Sequence, residues 1–297
     1  MLLANLVREL DKKFLVNSIP ADKPFSIVLP QIYGTKNYDW KKYFEKFFLK
    51  NFHGLMLRNG ERVDLVVGTV FLDEGVLRKI IKKKAKNIMI FSHHPMGDET
   101  AGRGFLPLSE DILKVLQKKN ISVYSLHTPL DIHSEVSTTL DLCRACEIAP
   151  LERFARDLNG WAGIIGTIKE PMVFEGFVDR IQRIADVSKV NYIKNSDNVY
   201  TIGVIPGGGT SIELIEEASK NGCDTYLTGE YFNKLQIPFG QIERDEFNAK
   251  ISKQRVNLIE ISHYISERFV FLSGLKNLFE EKYGLGYEFL EQDDPWY

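Results

Sequence analysis

From residue 62 onward, short apolar runs alternate with stretches of helical apolar spacing, and this alternation restricts the fold more than any other feature of the chain. RVDLVVGTVF (62–71) predicts a strand. DEGVLRKIIKKKAK predicts a helix, with Asp73 and Glu74 at its start and lysines towards its end, as the helix dipole prefers. NIMIFS is a buried-strand pattern that ends directly at His93. The cycle repeats with a helix over 108–120, a strand ISVYSL over 121–126 ending at His127, and a helical stretch after Asp131. Strand patterns follow at 161–168 and 198–205, then Gly207–Gly208–Gly209, a helix over 211–221 and the strand CDTYLTG. RVNLIEIS (255–262) and the helical HYISERFVFLSGLKNLFEEKYG close the series. Such alternation predicts an α/β fold with mostly parallel sheets in two layered lobes.

The front of the chain is less regular. Residues 2–16 have helical spacing, whereas 17–60 contain Pro20, Pro24 and Pro30 and then an aromatic, basic stretch read as an amphipathic helix beginning near Asp39. With 38 basic and 40 acidic residues, the net charge of -2 gives no overall grip on nucleic acid or an anionic membrane. No apolar run approaches the ~18 residues that would suggest a membrane span. Cys143, Cys146 and Cys223 are too few for a disulfide framework and fit a reducing compartment. A cytoplasmic protein is therefore expected.

The chemistry collects at predicted strand ends, where open parallel α/β sheets place their ligands. His93 and His94 follow one strand, His127 and Asp131 a second, and His263 a third, with Glu267 one helical turn beyond His263. Each piece alone also fits a plain structural role: loop histidines, a helix-capping aspartate, a solvated i,i+4 pair. Together, imidazole nitrogens and carboxylate oxygens suit zinc, iron, manganese, cobalt or nickel. Glu267, with two oxygens, can bridge two ions spaced about 3.5–4 Å apart. Cys143-x-x-Cys146 reads as buried structure rather than a redox pair, and Gly207–Gly209 as a tight turn rather than an anion cradle. The lysines at 82–86 read as the solvated end of a helix, the aromatic cluster at 38–52 as packing or a subunit contact, and His53 as structural.

FSHHPM (91–96), SLHTPLD (125–131) and ISHYISE (261–267), with VIPGGGTSIELIEEASKNGCDTYLTGE (204–230) between the last two, occur together in this order. In these motifs the chain resembles the Nif-three-like family (NGG-one-interacting factor three, also GTP cyclohydrolase type-two-like proteins) over roughly residues 62–285. The resemblance implies two related α/β lobes with a dinuclear metal site in the cleft between them. The expected division is 1–135 plus about 250–297 for the first lobe and about 136–249 for the second. It implies His93, His263 and Glu267 around one ion, His94, Asp131 and Glu267 around the other, Glu267 as the bridge, and His127 one layer out from the metals. Pro129 stands where the family usually has Asn, and Asn233 where a His is common. Residues 17–60 and the tail YEFLEQDDPWY depart from the pattern.

Two functions are open at this point. One is a metal-dependent hydrolase, GTP cyclohydrolase-like by resemblance, acting on a nucleotide, phosphoester or cyclic amide. The other is a non-catalytic metal-holding scaffold, metal chaperone or regulatory interaction protein. The resemblance further implies a homo-oligomer, often a hexamer.

Overall fold

The structure, a computed structural model, describes residues 1–97, 104–235 and 238–294, and the chain divides into two compact units. Within the described residues, the first unit holds 1–97, 105–133 and 271–293, and the second holds 104, 134–235, 238–270 and 294. The last three residues of the unfamiliar tail lie outside the described residues.

The first unit opens with α1 (Leu3–Lys13), α2 (Lys23–Gly34) and α3 (Lys46–Asn51). It continues with β1 (Gly54–Leu57), β2 (Leu65–Thr69), α4 (Glu74–Ile81), β3 (Ile88–Ser92), α5 (Glu110–Lys118), β4 (Ser122–Ser125) and the short α6 (Thr128–Asp131). The chain's last strand, β11 (Gly286–Phe289), completes a sheet of order β1-β4-β3-β2-β11. All its pairings are parallel except that of β1 with β4. α2 was not expected from the proline-rich stretch. Asp22 caps it by accepting the Phe25 N–H at 3.1 Å, and Pro24 occupies the first turn, where no N–H is needed. The expected helix from Asp39 is instead a 3-10 turn at Trp40–Lys42 followed by α3. Its aromatic residues pack into the core: Tyr33 stacks on Trp40 at 5.0 Å, and Phe44 meets both Trp40 and Phe48 edge-on.

The second unit contains α7 (Thr138–Ala145), β5 (Ala149–Asp157), β6 (Gly160–Val173), α8 (Phe174–Ala185), β7 (Asn191–Ile193) and β8 (Asn198–Ile205). After these come α9 (Ile212–Lys220), β9 (Thr225–Thr228), α10 (Pro238–Lys250), β10 (Asn257–Glu260) and α11 (His263–Leu272), the last running on into residues of the first unit. The sheet order is β5-β6-β8-β9-β10-β7. Only β8-β9 and β9-β10 pair parallel, so this sheet is mixed rather than mostly parallel. The reason is local: β5 and β6 are joined by a tight hairpin at 158–159, which forces antiparallel pairing. β10 pairs with β9, so His263 belongs to the second unit and the chain rejoins the first near 271, later than the expected 250.

Cys143, Cys146 and Cys223 are all buried and free, and burial pushes the Cys146 and Cys223 thiols up to about 12, which fits structural cysteines. No helix among the described residues is long and apolar enough to cross a membrane.

Gln292 fastens the returning C-terminal segment to the end of β2. Its Oε1 accepts from the Thr69 hydroxyl at 2.8 Å and the Phe71 N–H at 2.9 Å, and its Nε2 donates to the Phe71 carbonyl at 3.1 Å. Gln292→Ala strands buried polar groups and should cost about 1–3 kcal/mol. A urea unfolding midpoint equal to that of the wild type would contradict this role.

Candidate metal centre

The first unit brings four of the predicted site residues together. β3 continues past Ser92 because the His93 N–H donates to Thr69 O at 3.2 Å and the His94 N–H to Val70 O at 2.8 Å. The two rings leave the strand end perpendicular to one another, with centroids 4.8 Å apart. The His127 ring, delivered by the end of β4, lies 4.8 Å from each of them. His93, His94 and His127 can each offer a ring nitrogen with all three nitrogens within 4.8 Å of one another. Asp131, one turn along α6, places Oδ1 3.3 Å from His93 Nε2. Pro129 falls in the first turn of α6, where its missing N–H costs nothing. The cluster is walled by aromatic rings: Phe71 lies 4.5 Å from His94, and Phe25 meets His94 and His127 edge-on at 5.8 and 4.9 Å.

In the second unit, His263 opens α11 and Glu267 follows one turn later, with Nε2 and Oε1 3.1 Å apart. Ser262 holds φ at 82°, a left-handed conformation uncommon outside glycine, immediately before His263. It also starts the helix: its hydroxyl accepts the Ile265 N–H at 3.3 Å and its carbonyl the Ser266 N–H at 3.0 Å. The Ser266 hydroxyl donates to the His263 carbonyl and accepts the Gly207 N–H, both at 2.8 Å. Gly207 in turn accepts the Glu230 N–H at 2.9 Å, so the glycine turn, the end of β9 and the start of α11 are tied together. These bonds commit the Gly207 amide and carbonyl to a tight turn.

The Nδ1 atoms reveal what the rings are prepared to do. His93 Nδ1 lies 2.9 Å from the Leu126 carbonyl oxygen, His263 Nδ1 2.8 Å from Glu230 Oε1, and His127 Nδ1 2.9 Å from Asp22 Oδ2. Each acceptor holds a proton on Nδ1, so Nε2 is the nitrogen through which each ring would meet an ion. Metal-binding histidines are held in this way by carboxylates and backbone carbonyls. The donor set therefore fits divalent transition metals. His53 and His133 are arranged the other way round, each with Nε2 on a backbone carbonyl, Val16 at 3.2 Å and Lys13 at 3.0 Å. They serve the packing of the first unit.

Burial disfavours a charged His263, but the Glu267 and Glu230 carboxylates outweigh it and raise its pKa well above the ordinary imidazole value. His127 behaves alike: burial is outweighed by Asp22 and its pKa is raised. Burial also opposes a charged Asp22, yet His127 and hydrogen bonds from Phe25 and Thr128 hold its carboxyl well below the usual range. An ion held at Nε2 would stand in place of the second proton.

Asp22, Glu230 and Ser266 were missed as site residues by sequence reasoning. A signal existed for two of them. Asp22 precedes Lys-Pro, a helix-start pattern, and Glu230 follows two residues after the strand that ends at Thr228.

A Cβ at Gly207 would collide with Glu267 Oε1 and come within 3.0 Å of His263 Nε2, at a φ of +67° that side chains resist. Gly207→Ala should push Glu267 off its position. The expected result is a protein that folds with a lowered midpoint and retains less metal by elemental analysis; unchanged metal content would refute the close approach.

A family model for Duf34/NIF3 (NGG1p interacting factor 3) matches residues 49–295. A Haemophilus influenzae protein named GTP cyclohydrolase 1 type 2 homolog is 25% identical over 250 residues, 82% of this chain and 90% of that one. A Deinococcus radiodurans protein of the same name is 27% identical over 240 residues, 80% and 84% of the two chains. Among solved structures, a Thermus thermophilus protein superposes with a TM-score of 0.65 at 20% identity, covering 99% of both chains. Reduced HcgD from Methanocaldococcus jannaschii does so with a TM-score of 0.56 at 21% identity, covering 85% of this chain and 94% of that one. These structures share the fold. The match over 49–295, which includes the His-His, His-Thr-Pro-Leu-Asp and Ser-His motifs, makes this chain a member of the Duf34/NIF3 (NGG1p interacting factor 3) family.

Proposed function

We propose that the chain is a metal-dependent hydrolase with a dinuclear centre. His93, His94 and Asp131 from the first unit and His263 and Glu267 from the second are its ligands, with Glu267 as the bridge. The observation that carries the reading is the set of Nδ1 hydrogen bonds that fixes His93 and His263 as Nε2 donors. The order of the family motifs supports assigning both clusters to one centre. Two divalent ions, when bound, lower the pKa of a shared water and polarise a substrate oxygen.

The chain's own residues do the rest. Glu230 and the Leu126 carbonyl keep the imidazoles in one tautomer and one orientation. Phe25 and Phe71 line the His94 side with apolar surface, which excludes water from the ligands and strengthens their electrostatics. Ser266 and Gly207 fix the height of the helix that carries Glu267. Relatives named GTP cyclohydrolase 1 type 2 homolog support a purine-nucleotide substrate, with ring opening by water as the reaction.

Elemental analysis of gently purified protein should find about two ions per chain, as a two-metal site requires. A His94→Ala/His263→Ala variant should lose them. Glu267→Gln should remain folded and lose turnover on nucleotide, phosphoester and cyclic-amide substrates; unchanged turnover would remove Glu267 from the bridge. Metal-loaded wild type that turns over none of these would favour the scaffold or chaperone reading instead.

The same reading includes a cytoplasmic homohexamer. Light scattering should then give about six times the 34.1 kDa chain mass, and a monomeric mass would refute it.

A further inference from the structure

Asp22 lies in the stretch before residue 49, outside the part of the chain matched by the family, yet its carboxylate is fully buried and accepts several hydrogen bonds. Oδ1 takes the Phe25 N–H at 3.1 Å. Oδ2 takes the Thr128 hydroxyl at 2.9 Å and the Thr128 N–H at 3.3 Å, and faces His127 Nδ1 at 2.9 Å. One carboxylate thus starts α2, caps the first turn of α6 and holds the His127 ring.

A capping aspartate needs only backbone donors and is ordinarily near water. Asp22 is instead buried against an imidazole whose other face is ringed by histidines. Its arrangement repeats that of Glu230 on His263: the carboxylate meets Nδ1, so Nε2 is the nitrogen turned to ligand duty. His127 is also the third member of a triangle of rings with His93 and His94 whose offered nitrogens lie within 4.8 Å of one another. Had His127 only to support its neighbours, a proton on Nε2 would serve equally well and no acceptor on Nδ1 would be required.

We propose that Asp22 is a positioning residue for metal binding: it fixes the Nδ1-protonated tautomer of His127 and makes His127 Nε2 a direct ligand of the centre. This rests on the dinuclear reading above but extends its ligand set by one imidazole, and it assigns a role to a segment that the family motifs do not reach. α2 contributes twice to the same ring, through the Asp22 cap at its start and through Phe25, which packs edge-on against His127 one turn later.

Zinc affinity, measured by chelator competition, tests the assignment in four proteins: wild type, Asp22→Asn, His127→Ala and the double variant. Asp22→Asn keeps the shape of the side chain and removes its charge. It should weaken zinc binding about 10–100-fold, the usual cost of losing a carboxylate behind a metal-bound histidine. His127→Ala should weaken it at least as much and should change the visible d–d spectrum of the cobalt-loaded protein. In the double variant the loss should not exceed that of His127→Ala, because Asp22 acts through the ring. A merely structural Asp22 would lower the unfolding midpoint of the metal-free protein while zinc affinity stayed within about twofold of wild type, and that result overturns the proposal. So do losses that multiply in the double variant. If Asp22→Asn does not fold, imidazole 15N shifts of the wild type with and without zinc decide. A His127 Nε2 resonance that moves on loading supports ligation, and one that does not move refutes it. Wild type that holds no metal would overturn the dinuclear reading as a whole. Wild type that holds two ions while Asp22→Asn binds them equally well overturns only the role of Asp22.

Discussion

An imidazole can hold an ion only through a nitrogen that carries no proton, so the partner of the other nitrogen decides what His53, His93, His127, His133 and His263 can do. His93, His127 and His263 have that partner at Nδ1: a backbone carbonyl, Asp22 and Glu230 respectively. His53 and His133 have it at Nε2. The same residue type is thereby sorted into prospective ligands and packing elements by one hydrogen bond each. The end of β4 brings the Leu126 carbonyl to His93, the start of α2 brings Asp22 to His127, and the glycine turn and the end of β9 bring Glu230 to His263.

Buried carboxylates are costly unless paired and fully hydrogen-bonded. Asp22 meets part of that cost with donors from backbone that is already fixed, and Glu230 meets it with the His263 ring. Asp22 collects its donors from the first turns of two helices. The Glu230 amide is bonded to Gly207, whose own amide is bonded to Ser266 on the helix that carries His263. Gly229 fits this junction because a Cβ there would meet Gly207 O and Ser266 Oγ at 2.5 Å. The left-handed Ser262 is the local strain that the arrangement tolerates in order to turn β10 into a helix at the correct point. Close packing of three short segments, rather than any single strong contact, sets the position of Glu267.

Much of this was legible in the sequence because strand ends and histidines coincide. The apolar run 87–92 delivered His93 and His94, and 121–126 delivered His127, within a residue of the observed strands. Ser-His-x-x-x-Glu gave the helical pair directly, since i,i+4 spacing is a local property. What could not be read is non-local. A mixed sheet follows in part from β6 pairing antiparallel with β8 and from β7 returning antiparallel to the edge of β10, and neither pairing leaves a mark on residue periodicity. The second unit keeps β10 because of its parallel register with β9, which no local pattern encodes. The prolines of 17–60 were misleading for another reason. Pro24 sits in the first turn of α2 and Pro30 lies inside the same helix, so proline content here did not exclude a helix.

Asp22 and Glu230 show how differently the same chemical task can be encoded. Glu230 lies within the family-matched region, at the end of a strand that already belongs to the site, so motif and geometry arrive together. Asp22 comes from a segment outside that region and is 105 residues from His127 in sequence. Holding an imidazole requires only an acceptor of fixed position, and any rigid element that passes nearby can supply it. A helix start is well suited, because the capping bond to Phe25 orients the carboxylate before it meets the ring. Ligands are therefore confined by coordination geometry to a few positions, whereas their supporting acceptors are free to come from whatever part of the fold packs behind them.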